Sequence, residues 1–229
     1  MEEPGSNGLA FDPEGRLVLC EHGDRRITRL EADGRKTVLA DSWQGCRLNS
    51  PNDIVCRSNG ELWFTDPPYG LPGQLDSASK ELPFHGVYRI GRMGDLALVL
   101  DTIDVPNGIA FSPDETTLYL TDGGPTQKRW LAFTVRDNGS LADRRVLFDA
   151  NHLPGQGSPD GLVADAGGNL FATGLERVLV LSADGTHLGS IVPGGKPSNV
   201  AWGEDGATLF ITSSSRLLRL RTRTRGPRF

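Results

Sequence analysis

VPNGIAFSPDETTLYLTDGG, residues 105–124, decides the fold. It carries the small polar residue Asn107 ahead of a short apolar segment, turns on Ser, Pro and Asp, and enters a second apolar segment through Leu118. The same plan recurs as SNGLAFDPEGRLVLCEHG (6–23), SPNDIVCRSNGELWFTDPP (50–68), SPDGLVADAGGNLFATG (158–174) and PSNVAWGEDGATLFITSS (197–214). The leucines that open the second segments, Leu17, Leu62, Leu118, Leu170 and Leu209, lie 45, 56, 52 and 39 residues apart. That spacing is the length of a four-stranded propeller blade.

The rest of each unit agrees. A third alternating run follows, as in RRITRLEADG (25–34), GVYRIGRMG (86–94), RWLAFTVRDNG (129–139), RVLVLSADG (177–185) and RLLRLRTR (216–223). All but the last end in a Gly turn suited to a hairpin. A fourth short run comes four times, as KTVLAD, LALVLDT, RRVLFDA and HLGSIV, and is missing from the fifth unit. Residues 1–229 therefore read as a single all-β domain, a β-propeller with about five blades, ending in a basic tail over 221–229. A helical solenoid is the alternative, and the absence of a sustained 3.6-residue apolar period argues against it.

Composition sets the outer limits. Apolar residues make up 37% and charged residues 23%, enough for a packed core. Glycine (29) and proline (15) favour frequent turns over long helices. The formal net charge of −5 argues against a nucleic-acid partner. No apolar run reaches the roughly 18 residues of a membrane helix, and MEEPGSNG lacks the features of a signal peptide. As written, the sequence is expected to be soluble and cytoplasmic, with no membrane partner. Cys20, Cys46 and Cys56 lack a C-x-x-C spacing and are expected to be free thiols.

Innermost strands of a propeller bring equivalent residues toward one channel. Aligned on their apolar pattern, the repeats put Asn7, Asn52, Asn107, Asp160 and Ser198 in one register. Taken singly, each Asn or Asp is also accounted for as a turn former. Recurrence in every repeat, with Pro51, Pro106 and Pro159 preceding three of them, points instead to a ring of hard oxygen donors. Such donors suit Ca²⁺, Mg²⁺ or Mn²⁺ better than a soft metal.

The strings RLNSPNDIV, WFTDPPYGL, ELPFHGVYR, VPNGIAFSPDETTLY and SPDGLVAD resemble the family of senescence marker protein, gluconolactonase and luciferin-regenerating enzyme, in its bacterial gluconolactonase-like branch. The resemblance runs from Asn7 to about Leu220. It implies a six-bladed propeller that holds one divalent cation, most often Ca²⁺ with Zn²⁺, Mn²⁺ or Mg²⁺ as alternatives, and hydrolyses lactones or related esters. It also implies that Asn107 and Asp160 are metal ligands and that Asn52 lies close to metal and substrate. Asp160 would be both ligand and general base. The family's Glu in an E-G-P string on the first blade has no match; Glu3-Pro4-Gly5 differs in order. One blade short of six, the chain is expected to bind metal more weakly, to have impaired activity, and to self-associate through exposed strand edges. A non-catalytic propeller that binds a small molecule or protein is the alternative.

The longest insertion, DPPYGLPGQLDSASKELPFHG (66–86), reads as a substrate lid offering Tyr69 and His85, or else as an ordinary surface loop. His22, after a second strand, reads as a contact for a sugar hydroxyl or else as a structural histidine, and Ser50 completes the substrate-contact candidates. Ser50 has no histidine at a motif spacing, so a serine nucleophile finds no support.

Overall fold

The computed structural model describes residues 5–124 and 126–227. The Glu3-Pro4 echo and the last two residues of the tail lie outside them. Strand content is high and the sole helical element is one 3₁₀ turn, Gln74–Asp76, among the described residues. The strands form a five-bladed β-propeller arrangement, in agreement with the repeat pattern.

Blade 1 contains β1 (Ser6–Phe11), β2 (Leu17–Glu21), β3 (Arg26–Leu30) and β4 (Lys36–Ala40), paired in that order. A two-stranded hairpin, β5 (Ser42–Trp43) and β6 (Cys46–Arg47), follows. Blade 2 contains β7 (Ile54–Cys56), β8 (Leu62–Asp66), β9 (Gly86–Ile90) and β10 (Leu96–Leu100). Blade 3 is built from β11 (Pro106–Phe111), β12 (Thr117–Asp122), β13 (Arg129–Val135) and β14 (Leu141–Asp149). Blade 4 has β15 (Leu162–Ala164), β16 (Leu170–Gly174), β17 (Arg177–Leu181) and β18 (His187–Ile191), and blade 5 has β19 (Pro197–Gly203), β20 (Thr208–Ser213) and β21 (Arg216–Arg221). All pairings given for these strands are antiparallel.

The chain forms two compact units, one ending at Asn107 and one starting at Gly108. In the first unit β1 lies beside β7, and the core joins Val18, Cys20 and Ile27 of blade 1 to Ile54, Leu62, Phe64 and Tyr88 of blade 2. Phe64 and Tyr88 stack with ring centroids 5.3 Å apart. In the second unit one core gathers Trp130, Leu170, Leu175 and Leu179, and another gathers Phe171, Val178, Val200, Leu209 and Ile211. Trp202 closes the latter, meeting Phe171 edge to face and donating to the Ala164 carbonyl at 2.8 Å. The second strands carry this packing: every residue of β8 and of β16 is buried. A strand buried on both faces has no polar face to alternate with, which is why these strands open on unbroken apolar runs, Leu-Trp-Phe and Leu-Phe-Ala.

Turns follow from side-chain chemistry. Asp12 Oδ1 accepts from the backbone N–H of Glu14 and Arg16, and Asp165 Oδ1 accepts from Gly167 and Asn169 in the equivalent turn of blade 4. These are the Asx-type contacts that make Asp a turn former. The three cysteines are free thiols, as expected. The described part of the basic tail is tied to the propeller. Arg221 makes a two-pronged contact with Asp205, the Arg225 carbonyl accepts from Ala166 N at 2.7 Å, and Gly226 N donates to the Gly206 carbonyl at 2.8 Å.

Candidate active site

The register of the oxygen-bearing residues reappears in the backbone. In blade 2, Asn52 N donates to the Thr65 carbonyl at 2.8 Å; in blade 4, Asp160 N donates to the Thr173 carbonyl at 3.0 Å. After three of these positions, Asn7, Asn107 and Asp160, a glycine is pressed against the neighbourhood of the same position in the next blade. Gly8 N donates to the Asn52 carbonyl at 2.7 Å, and Gly161 N donates to the Ser198 carbonyl at 2.9 Å. Closeness here requires glycine. A Cβ on Gly8 would lie 2.5 Å from the Asn52 carbonyl oxygen, and one on Gly108 would lie 2.3 Å from that of Asp160. No side chain fits at such distances.

A set of threonines that the sequence reading passed over completes the frame. Thr65 and Thr173 are fully buried. Thr65 Oγ1 donates to the Asn107 carbonyl at 2.6 Å, Thr173 Oγ1 donates to the Ser198 carbonyl at 3.1 Å, and Thr121 Oγ1 accepts from Gly108 N at 2.7 Å. Thr212 Oγ1 accepts from Asn199 N at 3.0 Å. The signal was available, since each threonine falls three residues after the leucine that opens its second strand. Blade 1 has Cys20 at that place.

Within the first unit, Asn52 and Asn107 are buried, held to the two sides of Thr65 through their main chains. Asn7, in the same unit, is exposed; in the second unit Asp160 is half-buried and Ser198 is exposed. His22, directly after β2, places Nε2 3.5 Å from Asn52 Nδ2. Burial lowers the His22 pKa to about 4, so the ring is neutral near pH 7. Ser50 is fully buried; its hydroxyl donates to the Pro67 carbonyl at 2.9 Å and accepts from Gly70 N at 2.7 Å. Both contacts tie it to the insertion loop. Tyr69, beside Gly70, is half-buried. His85 bonds the Asp104 carbonyl through Nδ1, in an open hollow of about 380 Å³ lined also by Phe84, Asp101 and Ile103. That lining includes neither His22 nor Asn52.

The insertion is clasped at both ends. Its flanks Asp66 and Gly86 are paired across β8 and β9, so the loop proper is 67–85. Asn49 donates its backbone N–H to Asp66 Oδ2 at 2.7 Å and its side-chain amide to the carbonyls of Asp66 and Phe84. Arg25 Nε in turn donates to the carbonyls of Leu48 and Asn49. Burial raises the Asp66 pKa to about 7, opposed by the backbone donors of Asn49 and Ser50 and by Arg25. Neither Asn49 nor Asp66 stood out in the sequence, because their importance comes from burial and not from a motif.

Hard oxygen donors with one carboxylate suit a divalent cation of the calcium type in donor chemistry. Among the described residues, no group of three or more His, Cys, Asp or Glu gathers in a metal-binding arrangement.

Successive antiparallel sheets, each built from consecutive strands, define the class as a β-propeller. The chain belongs to the SMP-30/gluconolactonase/luciferin-regenerating-enzyme-like family, whose model matches residues 1–215. It is 38% identical over 236 residues to a gluconolactonase of Zymomonas mobilis, covering 99% of this chain and 65% of that protein. The chain thus spans slightly less than two thirds of that relative. A solved gluconolactonase of Xanthomonas campestris is 42% identical with a TM-score of 0.85, over 94% of this chain and 71% of its own. A second solved structure, described as a putative gluconolactonase, is 34% identical with a TM-score of 0.87, over 98% of this chain and 76% of its own.

Proposed function

We propose that this protein is a lactone hydrolase of the gluconolactonase kind, dependent on a divalent cation held by Asn107 and Asp160 with Asn52 alongside. The observation that carries the reading is family membership over nearly the whole chain, with Asn52, Asn107 and Asp160 at matching positions of successive repeats. Calcium is the cation favoured by the donor set. When bound, such an ion polarises a carbonyl and stabilises the oxyanion that develops on it. Asp160 takes the proton of the attacking water as the new C–O bond forms; the ring C–O bond then breaks and the departing alkoxide is protonated. Asn52 and His22 face the substrate from blade 2 and blade 1, Tyr69 lines the approach from the insertion loop, and Ser50 holds that loop. His85 contributes at the loop's far end. Simple esters are the second substrate class.

The test is acid release from glucono-δ-lactone and from an aryl ester, with and without added Ca²⁺, Mn²⁺ or Zn²⁺. The expected result is a cation-dependent rate that Asp160→Ala lowers by roughly 10²-fold or more, the scale of a lost general base. A rate equal to buffer under every cation, or one unchanged in Asp160→Ala, overturns the reading. The exposed leucines of β21, Leu217 and Leu220, also support self-association of copies through that edge.

A further inference from the structure

His22, Gly70 and Ser50 form a chain of contacts that ends on the side chain of Asn52. From it we infer that His22 is a positioning residue: it takes up the amide NH₂ of Asn52 and thereby turns the amide oxygen toward the cation and substrate. This rests on the cation reading above.

The backbone of Asn52 is fixed on both sides. Its N–H goes to the Thr65 carbonyl at 2.8 Å, and its own carbonyl accepts from Gly8 N at 2.7 Å and from Asn7 Nδ2 at 3.1 Å. What is left to decide is which end of the carboxamide faces outward, and that torsion is broad and two-fold. The two ends differ in kind, since only the oxygen can meet a cation. His22 Nε2 lies 3.5 Å from Asn52 Nδ2. An NH₂ group donates only, so this pairing needs a bare lone pair on Nε2 and the ring proton on Nδ1.

The ring is kept there by the insertion loop. A Cβ on Gly70 would lie 2.8 Å from His22 Cβ, 2.9 Å from its Cγ and 2.9 Å from Ser50 Oγ, so the loop backbone is in close contact with the histidine. Ser50 fixes Gly70 by accepting its N–H at 2.7 Å while donating to the Pro67 carbonyl at 2.9 Å. Through Gly70 and Ser50 the start of the loop thus sets the orientation of a residue in the site.

Two measurements on the full chain decide it. Long-range ¹H–¹⁵N correlation on labelled, cation-free protein is expected to show the Nδ1–H tautomer for His22, and an Asn52 side-chain NH₂ resonance that moves in His22→Leu. Ca²⁺ titration by calorimetry is expected to give about tenfold weaker binding in His22→Leu, the size of one lost hydrogen bond. His22→Gln, whose side-chain oxygen can accept from Asn52, is expected to stay within about threefold of the parent. Gly70→Ala should weaken binding as His22→Leu does, and combining the two should add little. An Nε2–H tautomer, or His22→Leu binding Ca²⁺ as tightly as the parent, overturns the inference. If the parent binds no divalent cation, the proposed function fails in that respect, while the tautomer and the Asn52 resonance still decide the role of His22.

Discussion

The smallest residues of the repeat set its tightest tolerances. Gly108 approaches the carbonyl of Asp160 so closely that one added methyl group would sit 2.3 Å from it, and for Gly161 the nearest atom, Asn199 Oδ1, would be 2.1 Å away. The two sites differ in what can yield. Asn199 can swing its amide aside, whereas the Asp160 carbonyl is main chain, in a residue whose N–H is bonded to the Thr173 carbonyl. Gly108→Ala is therefore expected to cost about 1–3 kcal/mol or more, and Gly161→Ala less, in urea unfolding. Thr65 is the second sensitive point, because its hydroxyl donates to the Asn107 carbonyl and accepts from Asp53 N. Thr65→Val keeps the shape and removes both bonds. It is expected to lower stability by about 1–3 kcal/mol in the same assay, as for a buried polar group left without its partner.

Among the elements, β16 is fully enclosed between two cores. All five of its residues are buried, with Leu170 in the core that includes Trp130 and Phe171 in the core that includes Leu209. Leu170→Ala is expected to cost about 2–5 kcal/mol in equilibrium denaturation, the range for a cavity in a packed core. β21 is at the other extreme. Blade 5 has three strands among the described residues, and Leu217 on β21 is 69% exposed. Leu217→Lys should leave the melting temperature within a degree or two while reducing any dimer seen by light scattering, because a charge on an edge strand opposes pairing. The strands were legible from the alternation of apolar residues. The clasp of the insertion loop was not, since Asn49 and Asp66 make contacts 17 residues apart that follow no local pattern.

At the scale of the whole molecule, two global measurements report on buried charge. Asp66 is fully buried, and its pKa of about 7 lies above the roughly 3.9 of an unfolded chain. Its protonated form is thus favoured by folding. That contribution is complete below about pH 4 and is lost as pH rises through about 7, so thermal stability should fall across this window. The groups around it, Arg25, Tyr88 and Cys20, keep their charge states there; for both Tyr88 and Cys20, burial raises the pKa further. Asp66→Asn should flatten the pH profile of the melting temperature. Cation binding gives the second measurement. At a hundredfold excess of Ca²⁺ over its Kd, the folded state should gain about 2.7 kcal/mol, and Asp160→Ala should abolish the associated rise in melting temperature.

The amino-acid sequence by itself determined the blade count, the turns and the register of Asn7, Asn52, Asn107, Asp160 and Ser198. These are periodic properties, and periodicity is written along the chain. Even the threonines at Leu+3 were visible there as a recurrence, although their role was not. What only the tertiary structure decided was which of these groups are buried and what each one touches. Asn52 and Asn107 are enclosed while Asn7 and Ser198 are exposed, although all four occupy one register. Ser50 is committed to the insertion loop, and His22 meets Asn52 across 30 residues of sequence. The physical reason is that burial and hydrogen-bond partnership depend on neighbours brought together by packing. A repeat specifies the position of a residue within its blade, and the adjacent blade and loop specify its surroundings.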